Sequence, residues 1–437
     1  MANNKPTSKQ PPVAARKPHS VKHHGVTLSD DFAWLRDPGY PEVTDTEIIA
    51  HLESENAWFN DQMAPLEELT ETIFSELKGR QPEEDESVPY RQDGWMYQWR
   101  FARDAQYRTW WRWPEHKPEG AQCILDEPTL AGASDFFRIG GMSISPDGRF
   151  LAYGVDNDGS ERYTLFIRDL VSSTTLEDEI PNTGGGCIWA KNSTTFFYTC
   201  LSEQWRPYMV ARHTLGQDNA EDTQVYTESD DSFFVGVSST QSDDWIIVSS
   251  GDHVTSELRI IPSATPNASS TLIAPRVTNR QYDIDHLADE FYVLTNDTHK
   301  NFRLAKTPVN NPGPDNWITV IEGSDDRYLT DFVCFDNLIV VEERVKGLDQ
   351  ILLLEPDKPE TLARGPKPLF ICTAMAHTDM PYRQAFHLRD CRCWIAASFL
   401  LLRTFAVAMT LAITGTKQAS CNSGPTPLTI LWTLLVG

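Results

Sequence analysis

A unit of about 48 residues recurs six times between Gln92 and Val341, and no other feature constrains the fold as tightly. Each unit opens on an acidic or Asn-containing turn: Gln92-Asp93-Gly94, Pro146-Asp147-Gly148, Lys191-Asn192-Ser193, Ser242-Asp243-Asp244, Ala288-Asp289-Glu290 and Phe335-Asp336-Asn337. An aromatic or β-branched run follows, as a short strand leaving a tight hairpin requires. Its position is marked by Met96, Phe150, Phe196, Trp245, Phe291 and Leu338, which lie 54, 46, 49, 46 and 47 residues apart. A period of this length with several strands per unit is that of β-propeller blades, each sheet burying its faces against its neighbours. A β-sandwich would need the same spacing by coincidence six times over.

Ahead of the repeat, 46–80 reads as helical. Ile48, Leu52, Trp58 and Phe59, then Leu66, Leu69, Ile73, Phe74 and Leu77, recur at three- and four-residue intervals. Asp45 is the start signal and Pro65 divides the run into two helices. The expected organisation is a flexible N-terminus (1–27), a helical segment (28–84), a propeller of about six blades (85–358), and a different kind of sequence from 359 to 437. The fold class is therefore mostly β.

The tail differs in charge and cysteine content. Beyond Pro366 there are six basic residues and two acidic ones, whereas the whole chain carries 62 acidic residues against 38 basic. Cys372, Cys391, Cys393 and Cys421 also fall there. Trp394 to Ile413 has the length of a membrane span, but Arg403 at its centre opposes insertion by roughly 2.5–3.5 kcal/mol, so an aberrant hydrophobic tail is the preferred reading. Cys391-Arg392-Cys393 lacks the second pair a metal site needs, and His23-His24 lacks further ligands. Cys123, Cys187, Cys200 and Cys334 are too dispersed for metal-ligand spacing and read as reduced, mostly buried thiols. No metal or other cofactor is expected.

The net charge of −24 disfavours a nucleic-acid partner and is compatible with cationic ones. Met1 to Ser20 is polar, without the apolar stretch of a secretory signal, which places the chain in the cytoplasm and makes the Asn192, Asn267 and Asn296 sequons fortuitous.

Several motifs appear in a shared order. Asp31-Phe32-Ala33-Trp34-Leu35-Arg36-Asp37, His51-Leu52-Glu53-Ser54-Glu55-Asn56, Ser87-Val88-Pro89, Leu125-Asp126 and Gly141-Met142-Ser143-Ile144-Ser145-Pro146-Asp147-Gly148 closely resemble the opening of the prolyl oligopeptidase family. Arg212-His213-Thr214-Leu215-Gly216, Thr255-Ser256-Glu257 and Val341-Glu342-Glu343-Arg344 are similar to its oligopeptidase B branch. The resemblance runs from about His19 to Leu352. It implies a seven-bladed propeller capping an α/β-hydrolase domain, with a serine endopeptidase that cleaves short peptides after Lys or Arg. Short basic peptides are the implied partners.

The departures from that pattern matter as much. A seventh unit is due near Phe386, where the sequence has already entered the tail, so the propeller reads as incomplete. Its first and sixth blades, and Trp34, Leu52, Trp58 and Phe59 of the helical segment, are expected to lose cover. Arg364 to Ile371 resembles the first strand of the hydrolase domain, but the family's oxyanion segment does not follow. His377 to Tyr382 is briefly similar again. Together these read as an internal deletion between about Glu355 and Arg364, followed by a reading-frame or splicing error.

Acyl transfer in this family needs a serine on a strand-to-helix elbow, G-x-S-x-G, followed by an acid and a histidine. The sequence has no such motif. Gly141-Met142-Ser143-Ile144-Ser145 opens a strand, and His377 and His387 follow every propeller serine without supporting spacing. No catalytic, cofactor-binding or metal residue is assigned. The leading reading is a truncated oligopeptidase propeller without hydrolytic activity. The alternatives are a non-catalytic propeller interaction protein and a propeller tethered to a membrane through 394–413.

Overall fold

The structure, a computed structural model, describes residues 10–40, 42–356 and 358–366. The chain divides into two compact units, one up to Asp85 and one from Glu86.

In the first unit, a hairpin pairs Ser20–His23 with Val26–Ser29 across His24-Gly25, both at positive φ (49° and 81°). The helix Thr46–Met63 begins at Asp45, whose carboxylate accepts from the Glu47 and Ile48 N–H groups. A single 3-10 turn at Ala64-Pro65-Leu66 separates it from the helix Glu67–Lys78, as expected of a proline there. Asp37, within the Asp31–Asp37 motif, accepts from the N–H groups of Gly39 (2.7 Å), Thr44 and Asp45 (both 2.8 Å). Those three donors, Asp45 first, hold its carboxyl below the usual range. Its role is to fold the loop that delivers the chain to the helix.

The second unit consists of antiparallel meanders, six of them among the described residues. The first runs through Tyr90–Gln92, Trp95–Phe101, Thr109–Pro114 and Gln122–Asp126. The second and third share one long strand, Thr174–Trp189. Its first half closes the sheet of Arg138–Ile144, Phe150–Asp156 and Tyr163–Asp169, and its second half opens that of Thr195–Leu201, Pro207–Thr214 and Thr223–Thr227. The fourth comprises Phe234–Ser239, Trp245–Gly251, Ser256–Pro262 and Thr271–Leu272; the fifth Tyr282–Leu287, Glu290–Thr295, Arg303–Pro308 and Ile318–Ile321. The sixth comprises Arg327–Phe335, Leu338–Val345, Leu348–Glu355 and Lys358–Pro366.

The repeated turns join the first two strands of each sheet. Ser145, Ala190 and Thr240 occupy one equivalent position, each donating its N–H to the carbonyl at the start of the next strand (Phe150 and Thr195 at 2.8 Å, Trp245 at 3.0 Å). Gly148, Ser193 and Asp243 then lie at positive φ (71°, 58°, 55°), which explains Gly, Ser or Asp and no bulky residue there. Glu115, Leu170, Leu215, Ser263 and Val309 repeat a second bond, from the end of the third strand back to the turn, at 2.8–3.0 Å.

Apolar side chains fill the space between successive sheets. Tyr97 and Leu125 meet Leu151 and Tyr153; Phe150 and Ile167 meet Trp189 and Phe196; Phe197 and Val210 meet Ile246 and Ile261. Ile260 and Ile273 then meet Phe291 and Trp317, and Tyr292 and Leu304 meet Phe332 and Val341.

Two expectations are corrected. Residues 359–366, read as the remnant of a hydrolase strand, belong instead to the fourth strand of the sixth sheet, where Leu353 pairs with Ala363 and Leu354 with Thr361. Glu355 pairs with Lys358 across a two-residue connection, and so short a loop makes the adjacent strand the entropically cheapest partner. The outer face of that sheet is not exposed either: Val333, Leu338, Val340, Ile351 and Leu353 form a second cluster at 0–5% exposure. Among the described residues that cluster includes no side chain of another sheet. In the first unit the expected loss of cover is observed for Leu52 and Phe59, 49% and 56% exposed, while Trp34 and Trp58 are half-buried. The expectations for 367–437, including Cys391-Arg392-Cys393, His377, His387 and 394–413, lie outside the described residues.

Candidate functional site at the loop face of the sheets

The meander sends the chain out of every sheet twice at each end. At one end are the repeated hairpins, tied sideways from sheet to sheet. Arg112 donates to the Gly148 carbonyl (2.5 Å), Asp147 N–H to Ser193 Oγ (3.0 Å), Lys191 pairs with Asp244, and Ser242 Oγ meets His286 Nδ1 (2.8 Å). Asp285 completes the belt by accepting from the N–H groups of Gln241 in the fourth sheet and Cys334 in the sixth, both at 2.8 Å. Burial dominates there and pushes its carboxyl up to about 6, against the lowering effect of those donors.

At the other end lie the loops between second and third strands together with the connections to the next sheet. Irregular segments held by a rigid sheet scaffold are where binding groups concentrate. Arg162, Asn182, Leu201, Ser202, Glu203, Gln204 and Tyr208 line an open cleft of about 540 Å³ there, between the second and third sheets. Arg162 donates to the carbonyls of Ser202 and Glu203 (both 2.9 Å) and to Asn182, and stacks 4.5 Å from the Trp205 ring. Beyond the third sheet, Arg276 lies 3.7 Å from the Phe233 ring and donates to Glu228 at 2.5 Å. Burial would raise the Glu228 carboxyl, but Arg276, Ser250 and the Asp230 N–H outweigh it and bring it down to about 2. Glu228 and Arg276 therefore stay paired as carboxylate and guanidinium at neutral pH, and the pair fastens the loops beside the third sheet.

The same geometry tests for a nucleophile. Ser145, 2% exposed, donates its Oγ–H to Asp147 (2.6 Å) and accepts from the Phe150 N–H (2.9 Å) in a hairpin, and Ser143 lies within a strand, so neither occupies an elbow. Ser242, His286 and Asp244 come together, but the hydroxyl (2.8 Å) and the carboxylate (3.5 Å) both face Nδ1. A relay needs them on opposite ring nitrogens, so this triplet cannot pass a proton from serine through histidine. Among the described residues no group of three His, Cys, Asp or Glu side chains could hold a metal ion. Cys187 and Cys334 are buried free thiols whose pKa burial raises; Cys123 and Cys200 are half-buried. His23 and His24 are exposed in their hairpin. Asn192 of the first sequon caps its own turn, accepting from the Thr195 N–H at 3.0 Å.

Residues 12–379 match the family described as "Prolyl oligopeptidase, N-terminal beta-propeller domain". The chain belongs to the prolyl oligopeptidase family. It is 32% identical over 379 residues to dipeptidyl aminopeptidase BI of Pseudoxanthomonas mexicana, covering 80% of this chain and 50% of that protein. Identity to protease 2 of Moraxella lacunata is 32% over 351 residues, covering 78% and 49%. Among solved structures, oligopeptidase B from Leishmania major superposes with a TM-score of 0.73 at 25% identity, covering 79% of this chain and 51% of that one. Oligopeptidase B from Trypanosoma brucei with covalently bound antipain gives 0.72 at 28%, covering 80% and 52%. The chain thus spans about half the length of the relatives it matches. Its six meanders are blades of the family's propeller.

Sequence reasoning missed the polar links. The hairpin belt depends on side chains from blades about 46 residues apart, which no local pattern pairs. One signal is present in the sequence: the histidine of the family-like motif Arg212-His213-Thr214-Leu215-Gly216 is the one buried among carboxylates.

Proposed function

We propose that these residues are the substrate-gating propeller of an oligopeptidase B-like serine endopeptidase that acts in the cytoplasm on short peptides after Lys or Arg, and that the 437-residue chain does not itself hydrolyse them. The observation that carries this reading is the superposition on two oligopeptidase B structures, each covered only by half. The motifs of the oligopeptidase B branch support the specificity. The excess of 62 acidic over 38 basic residues is compatible with cationic peptides, whose encounter an acidic field speeds. The ring-nitrogen geometry of His286 supports the lack of turnover.

The test uses the purified chain with peptide amides ending in Arg. No turnover and no labelling by a serine-directed phosphonate are expected, whereas turnover that the phosphonate abolishes would overturn the reading. In parallel, tryptophan fluorescence should report binding of Lys/Arg peptides that weakens with salt. Equal affinity for acidic peptides would remove the specificity assignment. Cell fractionation tests the compartment. Among the described residues no helix is long and apolar enough to cross a membrane.

A further inference from the structure

We propose that His213 is a built-in imidazolium brace holding the second blade to the third, so that this junction is firm at neutral and acid pH and loosens in alkali. The histidine stands on Pro207–Thr214 of the third blade with its side chain 1% exposed. Its Nδ1 lies 2.7 Å from Asp222 Oδ1, in the connection to the last strand of its own blade. Its Nε2 lies 2.9 Å from Asp178 Oδ1, on the last strand of the second blade. Both carboxylates are 5% exposed or less.

A carboxylate only accepts, so both ring nitrogens must donate, and only the imidazolium has two N–H groups. The other reading, a neutral ring beside a protonated carboxyl, is disfavoured by the remaining contacts. Asp178 Oδ1 also accepts the Gly216 N–H at 2.6 Å, and Asp222 Oδ2 accepts the Tyr198 hydroxyl at 2.7 Å. Donors of this kind stabilise the ionised form. Cys200, next to this pair, is neutral at physiological pH because burial pushes its thiol up to about 11, and burial together with Asp222 raises Tyr198 likewise. Neighbouring Arg212 reaches the Pro266 carbonyl and Thr223 instead. Phe196 lies with its ring 5.1 Å from the imidazole and walls the cluster with hydrocarbon.

Burial alone would favour the neutral ring, but the two carboxylates outweigh it and raise the histidine above its ordinary 6.5. A histidine raised in the folded state contributes stability that is complete below the unfolded value and disappears as pH rises through the folded one. The junction concerned is the one where a single strand serves both blades, so a loosened Asp178 leaves the first half of 174–189 held by its pairing with Tyr163–Asp169 and no longer tied through His213 to the third blade.

Nitrogen-15 spectra of the whole chain, with His213 assigned by comparison with His213→Gln, should show both ring nitrogens protonated at pH 7 and a titration above 6.5. Amide exchange in 174–182 and 207–214, corrected for intrinsic base catalysis, should accelerate at least about tenfold across that titration. His213→Gln should exchange fast throughout, without the step. If that variant does not fold, Asp178→Asn gives the same information: removing one carboxylate should move the His213 titration downward. A neutral ring at pH 7, equal exchange profiles for the parent and His213→Gln, or a titration unmoved by Asp178→Asn would each overturn the brace.

Discussion

Asp285 shows how much one side chain can determine in this molecule. It takes backbone N–H groups from the fourth and sixth blades, and burial still raises its carboxyl from 3.8 to about 6. An acid raised in the folded state binds more protons folded than unfolded between those values, so stability falls as pH rises from about 4 to 6. The shift corresponds to something on the order of 3 kcal/mol. Urea titrations across that window should show this slope in the parent chain and not in Asp285→Asn. Glu228 behaves in the opposite sense. Its carboxyl, lowered to about 2, contributes stability above the ordinary 4.5 that is lost as pH falls towards 2. Removing its cation by Arg276→Ala leaves a 5%-exposed carboxylate with only neutral donors, Ser250, Tyr226 and the Asp230 N–H, and should cost about 3 kcal/mol, read as a lower urea midpoint.

At the scale of elements, the strand Thr174–Trp189 is held by glycines. Gly185, at φ +89°, sits where the strand passes from one blade to the next, and a Cβ on Gly154 would come within 2.3 Å of its carbonyl oxygen. Backbone on both sides leaves nothing that can move aside. Gly154→Ala should therefore destabilise by about 1–3 kcal/mol, while Gly186→Ala, with nothing within 4 Å, should stay within about 1 kcal/mol; thermal melts of the two variants decide it. The hairpins, by contrast, were legible. Asp, Asn and Gly at a fixed offset before an apolar run are the local cause of the turn, and in five blades the same bond back from the third strand closes it.

For the whole molecule, the helices of the first unit present Leu52, Phe59, Leu69, Ile73, Phe74 and Leu77 at 47–57% exposure. Apolar surface of this extent drives association, so the chain should bind hydrophobic dyes and self-associate at micromolar concentration. Phe59→Glu with Phe74→Glu should reduce both, as dye fluorescence and light scattering would show; unchanged scattering would place the contact elsewhere. Ending the chain after Pro366 should improve solubility without releasing it from membranes, and carbonate-resistant membrane association that vanishes with this truncation would point to 394–413 instead. The repeat alone determined the blade count and the second strand of every blade, because a hairpin is made by neighbouring residues whose φ preferences and alternation are written in order. The helical segment was legible for the same reason, through Asp45, Pro65 and the three- and four-residue spacing. Tertiary structure decided the rest. The shared strand of the second and third blades, the place of 359–366 in the sixth, and the settings of Asp285 and His213 depend on groups that meet only after the sheets pack. Burial and distant partners, not neighbours in the chain, set those charges and choose those pairings.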